Sequence, residues 1–386
     1  MFLFNMQEKI QYILQGENVW KVALNGRFYS VNTLGKKILQ LIVEGYSNHE
    51  ISSELRLQGY GNIDSKQIQP IRESIGRGEK KRSTPIRFRI TILELKHFQK
   101  MLSRFDFLFN WYAVSVFLFI FFLLFLLQYN KLIDSFHQSN ITVGGISTSV
   151  FITLFILLFH EFGHAASSLK YKVPPTEIGF GVYLYFPVLF TDVSHSWMAS
   201  RFQRIVIDLS GAYFQFILLT LFLFFNYFID FPSYVVNAFV INNVGIMIYN
   251  LNPLFKFDGY WLFCDLFNIS NLRAKSLNAL AELIYKKFNG VRFIKSRRYS
   301  VSIYVYSIVS VSFLLFIVFS FISFIVKNTI SFFQLFSYGN LKFEVVLWGM
   351  TKVFILFGGG YLSVSALFKT ILTIRQNVLR LYAENR

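Results

Sequence analysis

His160-Glu161-Phe162-Gly163-His164 lies inside the apolar run TSVFITLFILLFHEFGHAASSL, Thr148 to Leu169, and the rest of the chain is best read outward from it. Two imidazoles and a carboxylate are costly in hydrocarbon, and ionisable groups within a membrane span mark functional sites. A separation of i, i+4 sets both histidines on one helical face with the glutamate alongside. H-E-x-x-H is also the zinc-hydrolase pattern, in which the histidines ligate the metal and the glutamate moves protons. The expectation is a membrane-embedded metalloprotease.

Composition points to the same setting. Hydrophobic residues make up 54% of the 386, Phe occurs 48 times and only 15% are charged, too little for the surface of an ordinary soluble domain. The apolar residues come in blocks near the ~20-residue length of a bilayer crossing. Candidate spans run Phe107–Leu127, Thr148–Leu169, Ile205–Phe228, Tyr234–Leu251, Val301–Val326 and Val345–Phe368, about six in all. The fold expected is an α-helical polytopic membrane protein carrying a small N-terminal α+β, winged-helix-like cytosolic domain. Expected divisions are residues 1–78 for that domain, 79–106 for a basic linker and amphipathic lead-in, 107–268 for the intramembrane core, and 269–386 for a cytosolic loop and two last membrane helices.

The formal charge of +17 does not indicate nucleic acid. Basic residues cluster before the first span (Lys80, Lys81, Arg82, Arg87, Arg89), after the second (Lys170, Lys172, Arg201, Arg204) and after the fourth (Lys286, Lys287, Arg292, Lys295, Arg297, Arg298). They form no aromatic-interleaved stripe. The alternate loops hold little beyond Lys131, Lys327 and Lys342, so the positive-inside rule puts both termini in the cytoplasm of a multi-pass protein of the cell membrane. Cys264 is the single cysteine, which excludes an intrachain disulfide and a cysteine-based zinc site. The start of the chain lacks a signal-peptide pattern, and the first span is expected to act as the signal anchor.

Ahead of the spans, Ile10–Leu14, Val19–Leu24 and Arg27–Val31 read as short strands with Asn25-Gly26 as a hairpin turn. Thr33–Glu44 carries Leu34, Ile38, Leu41 and Ile42 at helical spacing; Ser47-Asn48-His49-Glu50 is a capping box, and Asp64 or Ser65 caps a third helix to about Ile75. Gly76–Pro85 reads as a linker, and Arg87–Arg104 as a basic amphipathic lead-in to the membrane. The strand–turn–strand with Gly26-Arg27-Phe28-Tyr29-Ser30-Val31-Asn32, followed by a helix and Glu44-Gly45-Tyr46-Ser47, resembles PqqD-like domains, the leader-peptide recognition elements of ribosomal peptide maturation systems. That resemblance implies a groove in which an extended leader peptide adds as a strand.

Two histidines leave zinc short of three protein ligands. The stretch Asn250-Leu251-Asn252-Pro253-Leu254-Phe255-Lys256-Phe257-Asp258-Gly259 offers Asp258, with Pro253 and Gly259 expected to break the helix around it; Asp265 and His195 are the alternative third ligands. Together, H-E-x-x-H and Asn252-Pro253…Asp258-Gly259 resemble the site-2 protease family of intramembrane zinc metalloproteases, in its peptide zinc-metalloprotease branch. The second proline of that family's later motif is missing here, and Leu254–Phe257 fill the interval. Tyr183–Trp197 and Leu209-Ser210-Gly211-Ala212 add to the likeness. It implies Zn2+ on His160, His164 and Asp258, Glu161 as catalytic base, and Asn252, Asn250 and Asn243 as groups for the substrate backbone. Maturation of a ribosomally made precursor, of the bacteriocin kind and beside a peptide exporter, is the implied role. Cleavage of a membrane signalling protein, or a non-catalytic scaffold or immunity partner of an exporter, are the alternatives.

The charge asymmetry yields a topology test. In a Cys264-free background, single cysteines near Ser135, Asp230 and Asn328 are expected to label from outside intact cells. Outside labelling of residues 8–78 would reverse the orientation and remove leader docking.

Overall fold

Period-two alternation followed by apolar residues at helical spacing shapes the first 75 residues of the computed structural model. The structure describes residues 10–14, 18, 20–24, 27–60, 63–75, 79–80, 86–137, 143–183, 186–289, 299–337 and 364–383. Strands β1 (Ile10–Leu14), β2 (Trp20–Leu24) and β3 (Arg27–Val31) pair antiparallel, with Ile10 opposite Leu24 and Leu24 opposite Arg27. Asn25-Gly26 lies outside the described residues. Helices α1 (Thr33–Val43), α2 (Asn48–Leu57) and α3 (Ser65–Ser74) follow, and β4 (Glu79–Lys80) adds to β3 as the fourth strand of the sheet. Ser47 and Glu50 cap α2 reciprocally, Asp64 and Gln67 cap α3, and Ile38, Leu41, Ile51, Leu55 and Ile68 bury together. Lys36 stands 3.9 Å from the Tyr12 ring centre and 3.6 Å from that of Trp20. Burial there, and Lys37 beside it, lower its pKa.

A strand, β5 (Ile86–Glu94), occupies the first half of the expected lead-in, and a short helix α4 (Gln99–Leu102) lies in its second half. The reason is in the letters I-R-F-R-I-T-I: their alternation has period two, and the density of arginine obscures it. Beyond the helices α5 (Trp111–His137) and α6 (Val143–Lys170), β6 (Glu177–Tyr183) and β7 (Phe186–Thr191) complete a sheet in the order β5-β6-β7. Two more helices, α7 (Arg201–Ile229, opened by a Ser200–Gln203 capping box) and α8 (Ser233–Asn250), finish this part of the chain.

By contacts the chain divides into two compact units, Met1–Gly181 with Val188–Leu251, and Val182–Pro187 with Asn252–Arg386. In the first, α7 is central. Gly163 on α6 faces it, and a Cβ at 163 would lie against the Ser210 carbonyl oxygen and 2.9 Å from its carbon. Asparagines tie α8 in: Asn237 donates to Ser135 O (2.7 Å), Asn242 to Ser149 Oγ (2.8 Å) and Asn243 to Gln215 O (3.2 Å). Near the far ends of α5 and α7, Gln128 donates to Leu223 O (2.9 Å), Asn226 donates to Gln128 Oε1 (2.8 Å), and Lys131 binds Asn226 O (3.0 Å) and Asp230 (2.6 Å).

In the second unit, α8's successor α9 (Asp258–Leu266) is followed by α10 (Leu272–Asn289), α11 (Val301–Ser337) and a helix α12 over 364–383. Tyr260, Cys264, Leu272, Ile303 and Tyr306 form its core, and the Tyr306 hydroxyl donates to Pro253 O at 3.1 Å. Pro253 stands in the non-helical interval before α9, as expected, whereas Gly259 sits inside the first turn of α9.

Among the described residues, four helices are long and apolar enough to cross a membrane: Trp111–His137, Gly145–Lys170, Arg201–Ile229 and Val301–Ser320. The fourth expected span forms α8, whose asparagines lower its apolarity. Most of the sixth, Val345–Phe368, lies outside the described residues.

Replacing Gly163 by Ala is expected to force α6 from α7 and lower stability by ~1–3 kcal/mol, as core overpacking does. At Gly245 a Cβ meets nothing within 4 Å, so Gly245→Ala is expected to be neutral or stabilising by up to ~1 kcal/mol. Thermal unfolding in detergent distinguishes them.

Candidate metal centre

Both histidines of α6 are buried and turned toward α7. His160 Nδ1 lies 2.9 Å from Gln215 Oε1, and His164 Nδ1 lies 2.8 Å from the carbonyl oxygen of Ile207. The Ile207 carbonyl only accepts, so Nδ1 is the donor of His164, and Gln215 Oε1 asks the same of His160; in neutral rings so oriented the lone pairs lie on Nε2. Those two Nε2 atoms face each other at 3.1 Å. Two ligands of a tetrahedral zinc at ~2.05 Å stand about 3.3 Å apart, so the pair has the bite of a zinc site.

Room beside the pair depends on one absent side chain. A Cβ on Gly211 would come within 2.5 Å of His160 Cε1, His160 Nε2 and His164 Nε2. The sequence Ser210-Gly211-Ala212 therefore does more than let helices approach, since its glycine faces the imidazoles. Ser210 donates to Ile207 O (2.6 Å) and accepts from Ser167 (2.8 Å), which fixes the turn of α7 under His164.

Glu161 is 7% exposed. Its Oε2 accepts a hydrogen bond from Thr191 Oγ1 at 2.7 Å, and the same hydroxyl lies 3.0 Å from the Glu161 carbonyl oxygen. Thr191 is the last residue of β7, so the small sheet reaches the carboxylate directly. A carboxylate with one hydroxyl partner retains a second oxygen with which to accept a proton.

Of the three asparagines expected to meet substrate, Asn250 comes to the histidines, with Nδ2 3.4 Å from His160 Nε2. Asn243 is fully buried and supports the backbone of Gln215, while Asn252 turns back on its own chain and accepts from Leu254 N at 2.9 Å. Asp258 is the first residue of α9, half-buried, with Phe257 extended before it. Asp265, on the same helix, is buried, and His195 is half-buried in the 3-10 turn Ser194–Met198. Gln215 and Thr191 are the contributors that motif reading missed, while Gly211 enters the likeness through Leu209-Ser210-Gly211-Ala212 without a role beside the imidazoles. Gln215 carried one signal, an amide within the apolar run of α7.

Among characterised proteins, the chain is 25% identical over 142 residues to YydH of Bacillus subtilis (strain 168), a protein named as a candidate peptide zinc metalloprotease. The match covers 36% of this chain and 56% of that protein, so the chain spans little more than half the length of the relative it matches. The likeness supports a relationship to zinc metalloproteases. No family model and no solved structure matches the chain.

The partner of a ligating imidazole is worth ~10–100-fold in metal affinity. Gln215→Leu strands His160 Nδ1–H and is expected to weaken zinc binding by that factor, while Gln215→Glu keeps an acceptor and holds zinc at least as well as the native chain. Chelator competition on the purified protein measures both; equal affinity of the native and Leu proteins would show that Gln215 does not position the ring.

Proposed function

We propose that this chain is an intramembrane zinc endopeptidase of the site-2 protease kind, which matures a ribosomally made peptide or cleaves a small membrane substrate. The observation that carries the proposal is the buried pair of Nε2 atoms at 3.1 Å, each ring oriented through Nδ1, with Glu161 one residue along the same helix. The four apolar helices and the likeness to YydH support it.

His160, His164 and Asp258 are the proposed zinc ligands. Each offers a ligand atom of a kind that zinc takes, imidazole nitrogen or carboxylate oxygen. Zinc, when bound, supplies Lewis acidity at the scissile carbonyl and lowers the pKa of coordinated water from about 15.7 toward ~7. Glu161 takes the proton of the attacking water and returns it to the departing amine. Thr191, hydrogen-bonded to Oε2, aims the carboxylate while leaving Oε1 to the water. Asn250, whose Nδ2 lies 3.4 Å from His160 Nε2, is the proposed hydrogen-bonding group for the substrate backbone.

The residues at 1–78 are proposed to dock the leader of the precursor by strand addition, and both termini to lie in the cytosol, where the precursor is made. A neighbouring exporter is the proposed recipient of the product.

Glu161→Gln keeps size and polarity but removes the proton acceptor, so peptide cleavage in liposomes is expected to fall by ~10²–10⁴ or more while zinc is retained. Asp258→Ala is expected to lose zinc far more readily than Asp265→Ala or His195→Ala. Unchanged cleavage by Glu161→Gln would refute the peptidase; zinc retained in Asp258→Ala and lost in His195→Ala would move the third ligand.

A further inference from the structure

The lead-in to the first membrane helix presents a surface that the peptidase chemistry does not use. On β5, Phe88, Ile90 and Ile92 are 80%, 61% and 51% exposed, and Ile90 and Ile92 share one face of the strand by its period-two alternation. The other face belongs to the protein: the Arg89 guanidinium lies 5.1 Å from the Phe190 ring centre, Thr91 hydrogen-bonds Glu177, and Leu93 packs against a core of Leu95, Leu102, Ala165 and Ile178. Gly179 makes the sheet close-packed here, since a Cβ on it would sit 2.8 Å from the Ile90 carbonyl oxygen.

Apolar exposure continues along the chain through Met101 and Phe107 to Trp111 and Tyr112 at the start of α5. Trp and Tyr at the mouth of a span hold the level of the headgroups. Along this stretch stand exposed Lys96, Lys100 and Arg104, against Glu94, which pairs with Lys96, and Asp106. An apolar face with basic residues along it, joined directly to a membrane span, matches the chemistry of an anionic lipid surface. Phe88 adds a sign of its own. It has φ +52, a conformation unusual for a bulky residue, with its ring turned outward.

We propose that residues 86–112 form an interfacial anchor that recognises anionic phospholipid headgroups, with Phe88, Ile90 and Ile92 in the acyl boundary and Lys100 and Arg104 at the phosphates. The anchor rests on the membrane setting of the chain and not on its peptidase activity. Each basic side chain near such a surface is worth about fivefold in partition, so removing two is expected to shift the docked fraction by roughly 30-fold. Added salt is expected to release the anchor, because exposed charges are screened within ~10 Å at 0.1 M ionic strength.

The test uses the full-length Cys264→Ala protein with a bimane fluorophore on Ile90→Cys, and in parallel on Ile92→Cys, in nanodiscs of phosphatidylcholine with or without phosphatidylglycerol. The expected result is quenching by lipid carrying a shallow doxyl group, little quenching by aqueous iodide, and a preference for phosphatidylglycerol that is lost with salt and in Lys100→Gln/Arg104→Gln. Iodide quenching in every membrane would overturn the proposal. Doxyl quenching indifferent to phosphatidylglycerol and to the charge variant would overturn headgroup recognition. Protection from both quenchers, or loss of doxyl quenching when peptide is added, would assign the face to protein or peptide instead.

Discussion

Everything at the centre depends on how closely α6 and α7 approach. Two imidazoles and a carboxylate in an apolar bundle need partners within hydrogen-bond distance, because unpaired polar groups are expensive away from water. For the histidines α7 supplies them, through the Gln215 side chain and the Ile207 carbonyl. Such contacts require backbones closer than side chains normally permit, and glycine at 163 on one helix and at 211 on the other removes the obstruction. The H-E-x-x-H motif is therefore half of a device whose other half is the surface of α7.

Much of the architecture was legible because it follows local rules. The strands and helices before residue 75 fall within a residue or so of where alternation, helical spacing and the two capping boxes put them. The four long apolar helices were likewise visible, and the His pair was legible from spacing alone. What escaped was non-local or masked by a stronger signal. Gln215 is an isolated amide in an apolar helix, and nothing in its neighbours distinguishes a ring-positioning group from ordinary helix-to-helix bonding. Thr191 becomes meaningful only when β7 returns to α6 across 30 residues. The alternation of β5 was hidden by its arginines, and a cluster of charge reads more readily as a membrane flank than as a strand.

The sheet β5-β6-β7 joins two environments. At one edge it carries Phe88, Ile90 and Ile92 outward, and at its last residue it holds Glu161 through Thr191. Hydrogen-bonded strands transmit displacement along the ladder better than loops do, since neighbouring strands cannot shift register without breaking several bonds. The position of the carboxylate is thus tied to a rigid element rather than to a side-chain rotamer of α6 alone.

Besides the Leu124 carbonyl one turn back at 3.4 Å, the amide of Gln128 meets Leu223 O and Asn226 on α7, 95 and 98 residues further along the chain. At the ~5–20 residues per second of ribosomal synthesis, α5 is complete for about 5–20 s before the segment that satisfies it has been made. Over that interval the Leu124 carbonyl is the one of these partners already made, and Gln128 Oε1 still awaits the Asn226 amide. The seam between α5 and α7 therefore closes only after α6, the helix bearing the histidines, has been made between them in sequence.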